Sequence, residues 1–155
     1  MSGPWIGPVV VSTALGAALV GGIFFAFSTF VMTALGRLPP EQGIAAMRSI
    51  NVTVLNPWFF AAFFGTALGA AALALFGFLN WDAPGAAYLV AGGLFYVIGS
   101  ILVTAAFNVP LNDALAAAQA GVDIWPRYLA TWTTWNHVRT IASLGAAVSF
   151  IMASR

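Results

Sequence analysis

The sequence predicts an all-α membrane protein, a four-transmembrane-helix bundle with a short amphipathic helix in its first long loop. Two observations carry this. Of the 155 residues, 61% are hydrophobic and 6% are charged, against about 25% charged in an ordinary soluble domain. So few charges cannot coat a water-facing surface, keep a chain disordered or form a basic face for nucleic acid. Second, the chain contains long stretches without any charged side chain, 1–36, 49–81 and 83–112, and a shorter one at 140–154. A membrane span needs about 20 apolar residues. Residues 1–155 therefore read as a single membrane domain with spans at about 8–35, 57–79, 85–107 and 130–153.

Each element has its own local signal. The first span ends before Arg37. Pro39-Pro40-Glu41 then reads as a helix start with an acid in the first turn. Ile44, Met47, Ile50 and Val54 recur at 3-3-4 spacing, so 40–54 is expected to be a short amphipathic helix at the membrane interface. It is placed to act as a lid over the bundle mouth. Asn56-Pro57 opens the second span, with Pro where its missing N–H costs nothing. Asn80-Trp81-Asp82-Ala83-Pro84-Gly85 is a turn, which makes spans two and three a helical hairpin. Asn108-Val109-Pro110-Leu111-Asn112-Asp113 is expected to leave the third span as loop. Asp123 reads as the N-cap of the last helix, with Pro126 in its first turn.

This topology puts both termini and the 80–85 turn at one end, and the connections 36–56 and 108–129 at the other. Arg37, Arg48, Arg127 and Arg139 fall at the long-loop end, against Arg155 alone at the terminal end. By the positive-inside rule the long loops are cytoplasmic and both termini lie outside a plasma or inner membrane. The tryptophans fit interfacial belts, Trp5 and Trp81 at one end, Trp58, Trp125, Trp132 and Trp135 at the other. Ala61, Gly65 and Gly69 repeat every four residues, a small-residue stripe that serves either packing within the bundle or a homo-oligomer.

The polar residues gather at the long-loop end. Asn51, Asn56, Asn108, Asn112 and Asn136 lie there, with the single histidine, His137. Only 16 residues, about 24 Å of helix, separate Arg139 from Arg155. The hydrocarbon slab is about 30 Å thick. Arg139 and His137 thus lie within the slab or at its lip, and either face the bundle interior or snorkel to the surface. Trp125, Tyr128, Trp132, Trp135 and Arg139 recur at 3-4-3-4 spacing on one helical face. Asn136, Thr140 and Ser143 form a polar stripe beside it. An aromatic wall beside a polar stripe suits a pocket for a flat, partly polar ligand. It equally suits an interface-anchored helix.

The absence of cysteine removes thiolate metal sites, iron–sulfur clusters and disulfide chemistry. No metal site and no cofactor are expected.

Two stretches carry a family resemblance: Asn108-Val109-Pro110-Leu111-Asn112, and Trp132-x-x-Trp135-Asn136-His137-Val138-Arg139-Thr140. With the Asn56-Pro57-Trp58 opening of span two, they resemble the anthrone oxygenase-like membrane family, much of it known only as a domain of unknown function. The resemblance covers nearly the whole chain. It implies oxidation of a flat phenolic or anthrone-like substrate with dioxygen as co-substrate, at the cytoplasmic end of the bundle. An anthrone has an acidic methylene whose carbanion reacts with dioxygen without metal or flavin. Such a site needs a base, donors for the developing oxyanion and a flat apolar slot. Under this reading His137 supplies the base and Arg139 acts beside it as a catalytic group. Asn108, Asn112, Asn136 and Arg139 supply donors, Trp132 and Trp135 the slot, and Thr140, Asn51 and Asn56 complete the substrate contacts.

The rival is a membrane protein without catalysis, which uses the same groups to bind a lipid or quinone or to scaffold a complex. A proton-coupled exporter is disfavoured, because every acid lies in a loop. A di-metal oxygenase is disfavoured too, because the spans lack its carboxylate and histidine ligands.

Overall fold

The computed structural model describes residues 6–119 and 122–155, so Trp5 lies outside the described residues. Among these residues the chain forms five helices and no strand. Helix α1 is Ile6–Gly36, α2 Pro40–Thr53, α3 Pro57–Leu79, α4 Ala86–Ala117 and α5 Trp125–Ala153.

Helices α1, α3 and α4 are long and apolar enough to cross a membrane. Helix α5 has the length, at 29 residues, but its apolar run is interrupted by Asn136, Arg139, Thr140 and Ser143, which all point inward and are buried.

The four long helices pack in a ring, α1 on α5, α5 on α4, α4 on α3 and α3 on α1. Every neighbouring pair is antiparallel. Gly93 of α4 lies against Ala70 and Ala74 of α3, and Gly92 against Phe150 of α5. Gly21 of α1 meets Ser143 and Leu144 of α5. Between α1 and α3 the contact is reciprocal: Gly16 faces Thr66, and Gly69 faces Thr13. Gly69 thus serves packing inside the ring, while Ala61 and Gly65 are exposed on its outside. The main core runs along the inside from Ile6, Val10 and Val20 to Leu73, Leu89 and Phe150.

The α3–α4 hairpin forms as the turn residues predict. Gly85 caps α4 with φ of 83°, a left-handed conformation that only glycine adopts freely. Asn56 caps α3: its Oδ1 accepts from the backbone N–H of Trp58 at 3.1 Å and Phe59 at 3.0 Å. Helix α2 forms over the expected residues, with Ile44 and Met47 buried beneath it.

Two expectations about helix ends are corrected. Residues 108–113 are helical, because α4 continues to Ala117 rather than ending near 107. Wide π-helical turns at Val97–Leu102 and Thr104–Asn108 immediately precede Pro110. Their i→i+5 bonds, such as Val109 N–H to the Thr104 carbonyl, open the backbone where the proline ring would otherwise collide with it. Helix α5 is capped by Ile124 rather than Asp123, and Asp123 makes no side-chain cap.

Candidate functional site

A second core cluster lies at the long-loop end, where Met32, Leu35, Ile44, Met47, Leu115, Trp125, Tyr128 and Trp132 pack together. Between this cluster and the main core lies a cavity of about 200 Å³. Its floor is Arg139 and Thr104, its walls Phe24, Phe63 and Trp132, and its roof the residues Met47 and Asn51 of α2.

Three π-helical turns surround this level of the structure: 27–31 in α1 and the two in α4. Such turns concentrate at functional sites because they displace one residue from its regular position. Here they contain Ser28, Ser100, Thr104 and Asn108, each of which hydrogen-bonds to α5.

Arg139 is only 5% exposed. Its Nη2 donates to Asn136 Oδ1 at 2.7 Å and its Nη1 to Thr104 Oγ1 at 3.2 Å. The guanidinium lies 4.2 Å from the Phe24 ring centre and 5.0 Å from that of Trp132. It makes cation–π contacts with both rings. All four acidic side chains are exposed. Among the described residues none pairs with this cation, and its Nε is buried without a partner. A buried charge of this kind is costly unless something anionic or strongly polar meets it. Arg139 lines the cavity, which is where such a partner fits.

The network beneath Arg139 is directional. Asn136 Nδ2 donates to the Phe24 carbonyl at 2.7 Å and to Ser28 Oγ at 2.8 Å. Arginine only donates and a carbonyl only accepts, so the Asn136 amide has one possible orientation. Thr140 Oγ1 donates to the Asn136 carbonyl at 2.8 Å. That commits its proton, so the 3.0 Å contact has Ser28 donating to Thr140. Asn136 therefore ties α1 to α5 and holds Arg139 in place.

Asn112 is fixed by the same logic. Its Oδ1 accepts from Tyr128 Oη at 2.9 Å and from Trp132 Nε1 at 2.8 Å. An indole N–H only donates, so the Asn112 NH₂ is left to serve the cavity that the residue lines. Asn108 Nδ2 donates to the Trp132 carbonyl at 3.2 Å, and its Oδ1 is buried without a partner.

The structure thus brings together most of the expected residues. Arg139, Asn112, Trp132 and Asn51 line the cavity. Asn136, Thr140 and Asn108 are buried around it. Trp135 does not line it, and stacks on Phe107 at 3.5 Å between ring centres. Asn56 is the α3 cap. His137 is exposed and lies outside the cavity, the outward of the two positions left open for it. The reason is helical geometry. Residues two apart on a helix are about 200° apart, so an inward Arg139 turns His137 outward.

Sequence reasoning passed over Ser28, Thr104 and the aromatic wall of Phe24 and Phe63. One signal was available for α4. Ser100, Thr104, Asn108 and Asn112 repeat every four residues, a polar stripe in an otherwise apolar span. Among the described residues no group of three or more His, Cys, Asp or Glu side chains is placed to hold a metal ion.

The anthrone oxygenase family model matches residues 58–149, more than half of the chain and all of the α4–α5 part of the cavity. The protein belongs to the anthrone oxygenase family. Searches of curated proteins and of solved structures returned no match.

Proposed function

We propose that the protein is a four-span membrane oxygenase that oxidises a flat phenolic or anthrone-like substrate with dioxygen, without metal or flavin. The observation that carries this is Arg139, a buried guanidinium with no carboxylate partner, set between aromatic rings at the floor of an apolar cavity. Family membership agrees with it.

Under this reading the substrate ring lies among Phe24, Phe63 and Trp132, with its carbonyl or phenol oxygen toward Arg139 and the Asn112 amide. Loss of a methylene proton gives an enolate. Its negative oxygen is stabilised by Arg139, an interaction that strengthens as charge develops. The carbanion carbon then bonds to dioxygen, and the peroxide formed takes up one proton. Loss of the remaining C–H proton with cleavage of the O–O bond leaves a ketone and one water. Substrate and dioxygen thus become quinone and water. His137 lies outside the cavity, so the methylene proton leaves to water, and Arg139 acts by making the substrate more acidic.

In the membrane, α5 is the fourth span in this reading, since its polar residues face inward. Arg37, Arg48 and Arg127 favour a cytoplasmic long-loop end with both termini outside. The exposed Ala61 and Gly65 leave a face on α3 for a homo-oligomer.

The competing reading is binding of a quinone or lipid without chemistry. It is favoured by the lack of any carboxylate or histidine among the cavity residues. Oxygen consumption by the purified protein with a panel of anthrones and hydroquinones decides between them. One dioxygen consumed per anthrone supports the oxygenase. Saturable binding of the same compounds with no oxygen uptake supports the binding protein.

A further inference from the structure

The cavity has an apolar mouth on the side of the bundle. Leu55, Phe60, Phe64 and Val109 line the same cavity as Arg139, yet they are 62%, 39%, 49% and 42% exposed on the outer surface. Phe60 and Phe64 lie in the first two turns of α3, about 5–10 Å along a helix long and apolar enough to cross a membrane. Val109 lies on α4 just past its π-helical turns.

The opening has a structural cause. Helix α3 packs closely on residues 86–96 of α4 but only slightly on the turns beyond. Those turns are π-helical, and past them α4 packs against α2 and α5 instead. The two helices of the hairpin therefore part at the long-loop end, and the cavity fills the gap.

The end facing water is covered by α2. Met47 and Ile50 of α2, with Val54 just past its end, roof the cavity. Arg48 straps that helix down, its Nε donating to the Leu115 carbonyl at 3.0 Å and its Nη2 to the carbonyls of Leu115 and Ala118. None of the loop-end charges, such as Arg37, Glu41, Asp113 and Arg127, lines the cavity.

We infer that the ligand reaches Arg139 sideways from the bilayer, between the first turns of α3 and the last turns of α4. This rests on the functional reading above for the ligand's chemistry, and adds its physical class. The substrate is a membrane-partitioned flat ring system with one polar edge, which travels oxygen first toward Arg139. Its apolar end is left at the mouth, where a substituent can extend into lipid.

The chain has no cysteine, so a single introduced thiol reports access without background. Met47 is fully buried on the cavity roof, and Met47→Cys places the thiol there. Ile50→Cys, half-buried on the same wall, serves if the first variant folds poorly. Ser49→Cys, exposed at the loop end, calibrates the reagents. Each variant is reconstituted in phosphatidylcholine vesicles and treated with hexyl methanethiosulfonate or the charged sulfonatoethyl analogue. The hexyl-to-sulfonatoethyl rate ratio of Met47→Cys or Ile50→Cys is expected to exceed that of Ser49→Cys at least tenfold. A ratio no higher than that of Ser49→Cys overturns the lateral route, whatever the ligand. Added 1,8-dihydroxyanthraquinone is expected to slow hexyl labelling of the cavity thiol at least fivefold. A raised ratio with no protection by this compound upholds the route and overturns the ligand reading.

Discussion

Replacing Arg139 with methionine separates catalysis from folding. The side chain gives up its bond to Asn136 Oδ1 at 2.7 Å, which leaves a buried acceptor unpaired at about 1–3 kcal/mol. It also gives up its contacts with Phe24 and Trp132, each worth about 0.5–2 kcal/mol. Against these losses, a buried cation without a counter-charge is removed, which relieves several kcal/mol. Methionine fills much of the same space and stays apolar. The terms oppose one another, so the net change in stability is expected within about 2 kcal/mol, the spread of the individual terms. Turnover has no such compensation. Loss of one donor to a developing oxyanion costs about 2.7–4 kcal/mol, a factor of about 10²–10³ in kcat. The assay is oxygen uptake with 1,8-dihydroxyanthrone in vesicles, beside a thermal melt of the same preparation. A variant that melts within a few degrees of the parent yet keeps kcat within threefold refutes the role given to Arg139.

Three further outcomes follow from the geometry. His137→Ala is expected to leave kcat and its pH profile within twofold, since the side chain is exposed and faces away from the cavity; a hundredfold loss in oxygen uptake would restore it as the base. Asn136→Ala removes the side chain that joins the Phe24 carbonyl, Ser28 and Arg139, and is expected to cost about 2–4 kcal/mol in a denaturation series. Gly93→Val inserts a side chain where a Cβ would already meet the Ala70 carbonyl at 2.7 Å. It is expected to lower the melting temperature through about 1–3 kcal/mol of overpacking, while Gly65→Val, with open space around it, leaves it unchanged.

The helices were legible because their signals are local. Asn56-Pro57 and the 80–85 turn set the bounds of α3 without reference to the rest of the chain. The end of α4 was not legible, because a proline after an asparagine reads as an exit from a helix. The π-helical turns before Pro110, which pack against α5, accommodate the proline as the helix continues. At the site, the stripe of Asn136, Thr140 and Ser143 was readable from spacing and is buried as a unit. His137 and Arg139 show what helical periodicity decides, since two residues so spaced are about 200° apart and only one of them lines the cavity. Trp135 shows the limit of the same periodicity: a 3-4 pattern spreads over a wide arc, and its edge member packs on Phe107 instead. The contribution of Ser28 needed the fold, because it acts across 108 residues of chain on Asn136.

The central claim is that Arg139 holds the substrate as its anion. Anaerobic mixing of the protein with 1,8-dihydroxyanthrone at neutral pH tests it directly, because the enolate absorbs at longer wavelength than the neutral ketone and cannot react without oxygen. The enolate band is expected to grow to a stoichiometric limit with the parent protein and with His137→Ala, and to be absent with Arg139→Met. A bound ligand that stays neutral, or an enolate band that survives in Arg139→Met, would contradict the account.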